Sequence, residues 1–136
     1  MSTFALRRIE AVSGRQVFYM LLVDGAAQMD EFEATLTRAE KRSMAKIYFY
    51  MNEVANNRTL PVTKFRDITP HKANVKEYEF KDGDLRVYAI ASYGGKIIVM
   101  GGYKNRQAKD IVAFRSMKNR YMKQMQQKHG KNRTAK

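Results

Sequence analysis

Residues 77–105, "EYEFKDGDLRVYAIASYGGKIIVMGGYKN", decide the architecture. Apolar-rich runs at 75–81, 85–92 and 96–103 are separated by Asp82-Gly83 and Gly94-Gly95, both strong signals for tight hairpins. Three consecutive strands joined this way predict an antiparallel meander. With Asp82-Gly83 as a two-residue loop, Lys81 faces Asp84, Phe80 faces Leu85 and Glu79 faces Arg86.

Upstream, "FALRRIEA" and "RQVFYMLLV" flank "VSG", which predicts an N-terminal hairpin or two extended pieces. "AAQMDEFEATL" reads as a short helix. Thr37 and Glu40 have capping-box spacing and start a second one. In it Met44, Ile47, Tyr48, Met51 and Val54 form one apolar stripe. Pro61 prevents the helix from resuming, and "VTKFRDITPHKAN" reads as an irregular connector. The expected fold is therefore α+β: a small twisted, mainly antiparallel sheet packed by a helical hairpin, with a basic C-terminal helix. That last helix is expected over 106–128, gathering Ile111, Phe114, Met117, Tyr121, Met122 and Met125 on one side with Lys118 intruding. Arg115, Arg120 and Lys123 are expected to point away from that side. Residues 1–128 read as one domain and 129–136 as a disordered basic tail.

The 136-residue chain is long enough to bury a core without staples. It has no cysteine, which removes disulfides, thiolate metal sites and cysteine nucleophiles and fits a cytoplasmic setting. The longest apolar run, Val17–Val23, is far short of a membrane span and reads as a buried strand. Net charge is +13, of which +10 lies in residues 104–136. Such asymmetry points to an anionic partner, most often nucleic acid, and otherwise to a solvated basic tail.

Phosphate-cradling glycine loops, His-Glu-x-x-His zinc motifs and nucleophile elbows are absent from the sequence. Two histidines without cysteine, and acidic residues scattered rather than clustered, make metal-free chemistry the expectation, with no cofactor. What remains is cationic. Lys81 and Arg86 lie on adjacent strands, Lys104 and Arg106 follow the third, and His71, Lys72 and Lys76 precede the first. Converging on one patch, they would bind phosphates and stabilise charge in a phosphoryl-transfer transition state. Each has a plainer alternative. Arg86 pairs with Glu79 across the strands, Lys81 is a solvated strand end, His71 is a loop histidine, and Tyr103 and Tyr121 are partial core. For Lys104 and Arg106 the plain alternative is weak, because cations at a helix start oppose its dipole.

With its following helix, this stretch resembles the signature of the RelE/ParE toxin superfamily, nearest the phage-derived HigB-like branch. Glu79-Phe80-Lys81 stands for a Glu-Leu-Arg strand end, Arg86-Val87-Tyr88 matches Arg-Val-Tyr, and 102–106 stands imperfectly for a Gly-Phe-x-Lys-Lys cluster. "VFYMLLVDG", "DEFEATL" and "MAKIYFYMNEV" resemble the family's first strand and helical hairpin. Lysine at 81 departs from the family arginine and loses a bidentate phosphate fork.

The resemblance implies a cytoplasmic bacterial toxin held by a cognate antitoxin, cutting mRNA on the ribosome without metal by 2′-hydroxyl attack on the adjacent phosphate. Arg86, Lys81, Lys104, Arg106 and His71 would be the catalytic set. Lys72, Lys76, Tyr103, Lys109, Arg115, Arg120 and Lys123 would hold RNA. Alternatives are a non-catalytic nucleic-acid-binding module and a gyrase-inhibiting toxin of the ParE branch.

Overall fold

The computed structural model describes residues 2–134, and side chains as far as residue 127. Six strands form one sheet in the order β1-β2-β6-β5-β4-β3. They are β1 (Phe4–Arg8), β2 (Val17–Val23), β3 (Phe65–Asp67), β4 (Glu77–Asp82), β5 (Leu85–Ser92) and β6 (Gly95–Tyr103). Every neighbouring pair is antiparallel except β2 and β6. The expected α+β fold is therefore present, with the meander β4-β5-β6 at its centre and the N-terminal hairpin β1-β2 added along β6.

Helices cover both faces. On one, α1 (Gln28–Ala34) and α2 (Arg38–Ala55) form the helical hairpin. The capping box is complete: Glu40 N–H donates to the Thr37 hydroxyl, and Thr37 N–H donates to the Glu40 carboxylate. Met44, Ile47, Met51 and Val54 are buried against Phe18, Met20, Phe80, Leu85, Val87 and Ala89. On the opposite face α3 (Gln107–Thr134), entered through a 3₁₀ turn at Lys104–Arg106, packs Phe114 and Tyr121 over Leu21, Tyr88, Ile90, Ile97 and Val99. Because both faces are covered, β5 is buried continuously from Leu85 to Ile90.

Three expectations need correction. The first is the hairpin loop, which is Gly83-Asp84. Asp82 pairs with Leu85, Lys81 with Arg86, Phe80 with Val87 and Glu79 with Tyr88. Gly83 has φ +55°, a conformation suited to glycine at the first position of such a loop. Asp82 is drawn into the strand because its buried carboxylate accepts from the Tyr50 hydroxyl at 3.1 Å and lies 3.6 Å from the Lys64 ammonium. The loop moves by one residue and the register by two, so each side chain keeps its face but changes its partner. Arg86 thus does not face Glu79.

The second correction is that the connector before β4 contains a strand. β3 extends the sheet by pairing Phe65–Asp67 with Tyr78–Phe80. Phe65 earns its place by stacking on Tyr78 at 5.1 Å and meeting Phe80 at 4.7 Å. The third concerns the last helix, which runs past the expected end at 128 to Thr134. Side chains from residue 128, and all of residues 135 and 136, lie outside the described residues, as does the question of a basic tail there.

Candidate nucleic-acid interface

The topology sorts the sequence-predicted cations into two groups at opposite ends of the strands. The hairpin turn of β4-β5, the end of β6 and the 3₁₀ turn share one end. Leu85 pairs with Tyr103, Arg86 pairs with Gly102, and the Lys104 amide donates to the Asp84 carbonyl at 2.7 Å. Lys81, Arg86, Tyr103, Lys104 and Arg106 therefore share one end of the sheet, a cationic lip in which Lys81 and Arg86 lie on the α3 face and Tyr103 on the helical-hairpin face. His71, Lys72 and Lys76 are not. They occupy the β3–β4 loop beside Glu77, four residues and about 13 Å along β4 from Lys81. All three are exposed, and Lys76 lies 3.4 Å from Asp67. His71 is thus removed from the expected catalytic set by the direction of β4.

Within the lip the cations differ in how they are held. Arg86 is only 8% exposed and wraps over its own turn, its Nη1 donating to the carbonyls of Gly83 at 2.9 Å and Leu85 at 2.8 Å. Its Nε is buried without a partner among the described residues, as is the hydroxyl of Tyr88 two residues along the same face. Burial, then the negative charges of Glu79 and Asp110, push the Tyr88 phenol above its ordinary range, so it stays protonated.

Lys81 is half-buried directly across from Arg86. Burial holds its ammonium below the ordinary lysine value, Arg66 adds to the effect, Glu79 opposes it, and Arg86 lowers it further. Arg66 belongs to this cluster although the sequence reading placed it in an irregular connector. Its Nη2 donates to Glu79 at 3.1 Å, and the fully buried Glu79 also accepts from Gln107 Nε2 at 2.6 Å. The signal for Arg66 was Glu79 itself: a carboxylate facing inward next to a buried strand requires a counter-charge.

Lys104 and Arg106 are exposed and, with Asp84, Tyr103 and Asn105, line an open cavity of about 480 Å³. Tyr103 is half-buried, its ring edge-on to Phe32 at 5.4 Å. Burial and then Glu40 raise its phenol, so it stays protonated, and its packing against Phe32 makes it a wall of that cavity.

Of the last-helix cations expected to hold RNA, Lys109, Arg120 and Lys123 are exposed, and Arg120 and Lys123 point away from the apolar side as expected. Arg115 is not directed outward. Its Nε donates to Glu77 at 2.9 Å and its Nη2 to the Ile68 carbonyl at 2.9 Å. Lys118 completes the arrangement, buried with its Nζ 2.7 Å from Glu77 and 2.8 Å from the Val75 carbonyl. The cause is Glu77, which is 1% exposed and whose buried carboxylate draws both cations inward as partners.

No group of three or more His, Cys, Asp or Glu suited to a metal ion occurs among the described residues. No helix among them is long and apolar enough to cross a membrane. No protein-family model, curated protein or solved structure matches the chain.

Proposed function

We propose that this protein is the toxin of a type II toxin–antitoxin pair and acts as a metal-independent endoribonuclease on ribosome-bound mRNA. The observation that carries the reading is the lip, where three strands and a helix start present Lys81, Arg86, Arg66, Lys104 and Arg106 at one end of the sheet. The order of elements also supports it: first strand, helical hairpin, meander and last helix follow one another as the resemblance implies.

In this reading the 2′-hydroxyl of one nucleotide attacks the adjacent phosphorus, and the bond to the next 5′-oxygen breaks. The products are a 2′,3′-cyclic phosphate and a 5′-hydroxyl. Lys81 takes the 2′-hydroxyl proton, a role suited to an amine whose pKa is held below the ordinary lysine value by burial and then by neighbouring cations. Lys104, Arg106 and Arg66 reach the phosphate oxygens. Arg86, fixed on the turn, contributes its charge from beneath rather than a direct contact. The acid that protonates the leaving oxygen is a solvent water or a ribosomal group. Cognate antitoxin and ribosome are the partners this reading requires.

A second reading, a nucleic-acid-binding module without cleavage, draws on the same burial of Arg86, whose Nη1 is committed to backbone carbonyls. Tightly controlled induction in a bacterial host separates the two, following growth and mapping mRNA ends beside a folded Lys81→Met variant. Growth arrest with codon-phased cuts, both lost in the variant, is the expected result. Intact mRNA and unimpaired growth from soluble protein would transfer the chain to the binding class. Arrest without cuts, accompanied by blocked supercoiling, would indicate gyrase instead.

A further inference from the structure

α3 carries a second feature, on the side away from its buried residues. Lys109, Ala113, Ser116, Arg120, Lys123 and Gln127 recur every three or four residues, which places them on one helical face, and all six are exposed. This face is cationic at both ends and small in the middle. It starts next to the lip and runs for about 27 Å. At its far end it reaches a cleft of about 590 Å³ between α3 and the beginning of β1.

That cleft is built rather than incidental. The Arg120 guanidinium lies 5.9 Å from the Phe4 ring centroid and donates through Nη2 to the Ser2 hydroxyl at 2.7 Å. Phe4 is itself fixed edge-on against the buried Tyr121 at 5.8 Å. The Gln124 side chain ties the same strand down, its Nε2 donating to the Ser2 carbonyl at 2.9 Å. Arg120 is therefore held by neutral contacts, and among the described residues neither it nor Lys123 has a carboxylate within ion-pairing distance. A guanidinium pre-positioned without a counter-ion is an anion receptor whose ordering cost is already met.

A bare anion does not account for the rest of the lining. Asp24 also borders the cleft, its Oδ1 accepting from the Thr3 amide at 2.8 Å and the Thr3 hydroxyl at 3.3 Å. A carboxylate repels phosphate but accepts from the N–H groups of a nucleobase, and the amides of Gln124 and Gln127 donate and accept. One aromatic ring, two cations, two amides and one carboxylate match a ligand that is anionic at one end and a planar heterocycle at the other.

We infer that the cleft formed by Ser2, Phe4, Asp24, Arg120, Lys123 and Gln127 is a nucleotide subsite for single-stranded RNA, joined to the lip by the exposed stripe of α3. The inference rests on the reading of the lip as an RNA site. A stacked strand at about 3.4 Å per nucleotide covers the stripe in about eight nucleotides. A tetranucleotide at the lip cannot reach the cleft, whereas a dodecanucleotide can.

The test uses 2′-O-methyl oligouridylates of four and twelve residues, which offer no 2′-hydroxyl for attack and so report binding alone. The twelve-mer is expected to bind at least tenfold more tightly than the four-mer. In Arg120→Gln/Lys123→Gln that advantage disappears, and the logarithmic salt slope for the twelve-mer flattens by about 1.4. Equal twelve-mer affinities in wild type and variant would overturn the inference.

Titration of adenosine 5′-monophosphate, followed by amide shifts of residues 2–6 and 117–127, provides the independent arm. Saturable shifts there that inorganic phosphate does not reproduce support a nucleotide subsite, even where mRNA cleavage fails and the nuclease reading falls with it. Identical shifts from inorganic phosphate reduce the cleft to a general anion site and overturn the inference, leaving the lip's reading intact.

Discussion

Lys81 and Arg86 stand directly opposite one another across the β4–β5 ladder. Like charges so placed repel and destabilise a hairpin unless something compensates. Arg86 compensates by folding back onto the carbonyls of Gly83 and Leu85. The Lys81 pKa lies below the ordinary lysine value, lowered by burial first, then by Arg66 and finally by Arg86, with Glu79 opposing. One pair therefore combines a cation locked in place for structure with an amine whose pKa is lowered.

Arg86 is first of all a structural residue of the turn. Arg86→Ala removes two charge-assisted hydrogen bonds to backbone carbonyls and is expected to cost about 1.5–3 kcal/mol of stability. Urea unfolding measures this, and an unchanged midpoint would show that the turn does not depend on the guanidinium. Arg86→Lys keeps the charge but not the geometry and is expected to lose most of the same stability. Loss of RNA cleavage in either variant bears on catalysis only at temperatures where the protein remains folded.

Lys81 predicts a pH dependence. Its folded-state pKa lies below the ordinary lysine value, so the neutral base becomes populated at lower pH than for a free lysine. Single-turnover cleavage is expected to rise with pH through that depressed value and then level off. Lys81→Met removes the rising limb and lowers the rate by about 10²–10⁴-fold. Arg66→Gln takes away a neighbouring positive charge, so the limb moves to higher pH. A profile unaffected by Arg66→Gln would show that the two groups do not interact.

The buried carboxylate on the other side of α3 predicts a large stability effect with no direct role at the lip. Lys118→Ala leaves Glu77 buried against the half-exposed Arg115 alone and is expected to cost about 3–5 kcal/mol. Glu77→Met with Lys118→Met removes both charges together and is expected to be close to neutral, or stabilising. Calorimetry of the two variants decides it. A double variant as unstable as the single one would mean that the ion pair itself, and not the avoidance of a lone charge, holds α3 to β4.

Much of this fold is written locally in the chain. Thr37 and Glu40 announce a helix start because a capping box is a contact between near neighbours, and the meander follows from turn residues between apolar runs. The parts that escaped depend on distant partners. Phe65–Asp67 becomes a strand because Tyr78 and Phe80 offer an edge to pair with, and Asp82 joins β4 because Tyr50 and Lys64 receive its carboxylate. The candidate site divides in the same way. Lys81, Arg86, Lys104 and Arg106 were legible together because tight hairpins make sequence neighbours into spatial neighbours. His71 and Lys72 were drawn in by sequence proximity, although β4 carries them to the opposite end. Arg115 gave a signal that spacing alone did not decode: it lies three residues before Lys118, and both answer the inward-facing Glu77.

Lys96 sets the last prediction. It is 8% exposed on the helical-hairpin face, with its Nζ 4.8 Å from the Tyr78 ring centroid, 5.8 Å from Phe18 and 6.0 Å from Phe65. Among the described residues its one hydrogen-bond acceptor is Gln16 Oε1 at 2.9 Å, and Gln16 in turn donates to the Val54 carbonyl near the end of α2. Burial lowers the Lys96 pKa from 10.5. Between that lowered value and 10.5 the unfolded chain binds more protons than the folded one, so stability rises with pH across the window. Wild-type protein is therefore expected to gain more stability between pH 7 and pH 10 than Lys96→Met, in which the titrating group is gone. Lys96→Met should also be at least as stable as wild type at pH 7, because methionine fills the same space without an ammonium to desolvate. Urea unfolding at both pH values gives the comparison. Parallel pH dependences in the two proteins would show that Lys96 titrates alike in the folded and unfolded states, and that the three rings and Gln16 hold its charged form at no net cost.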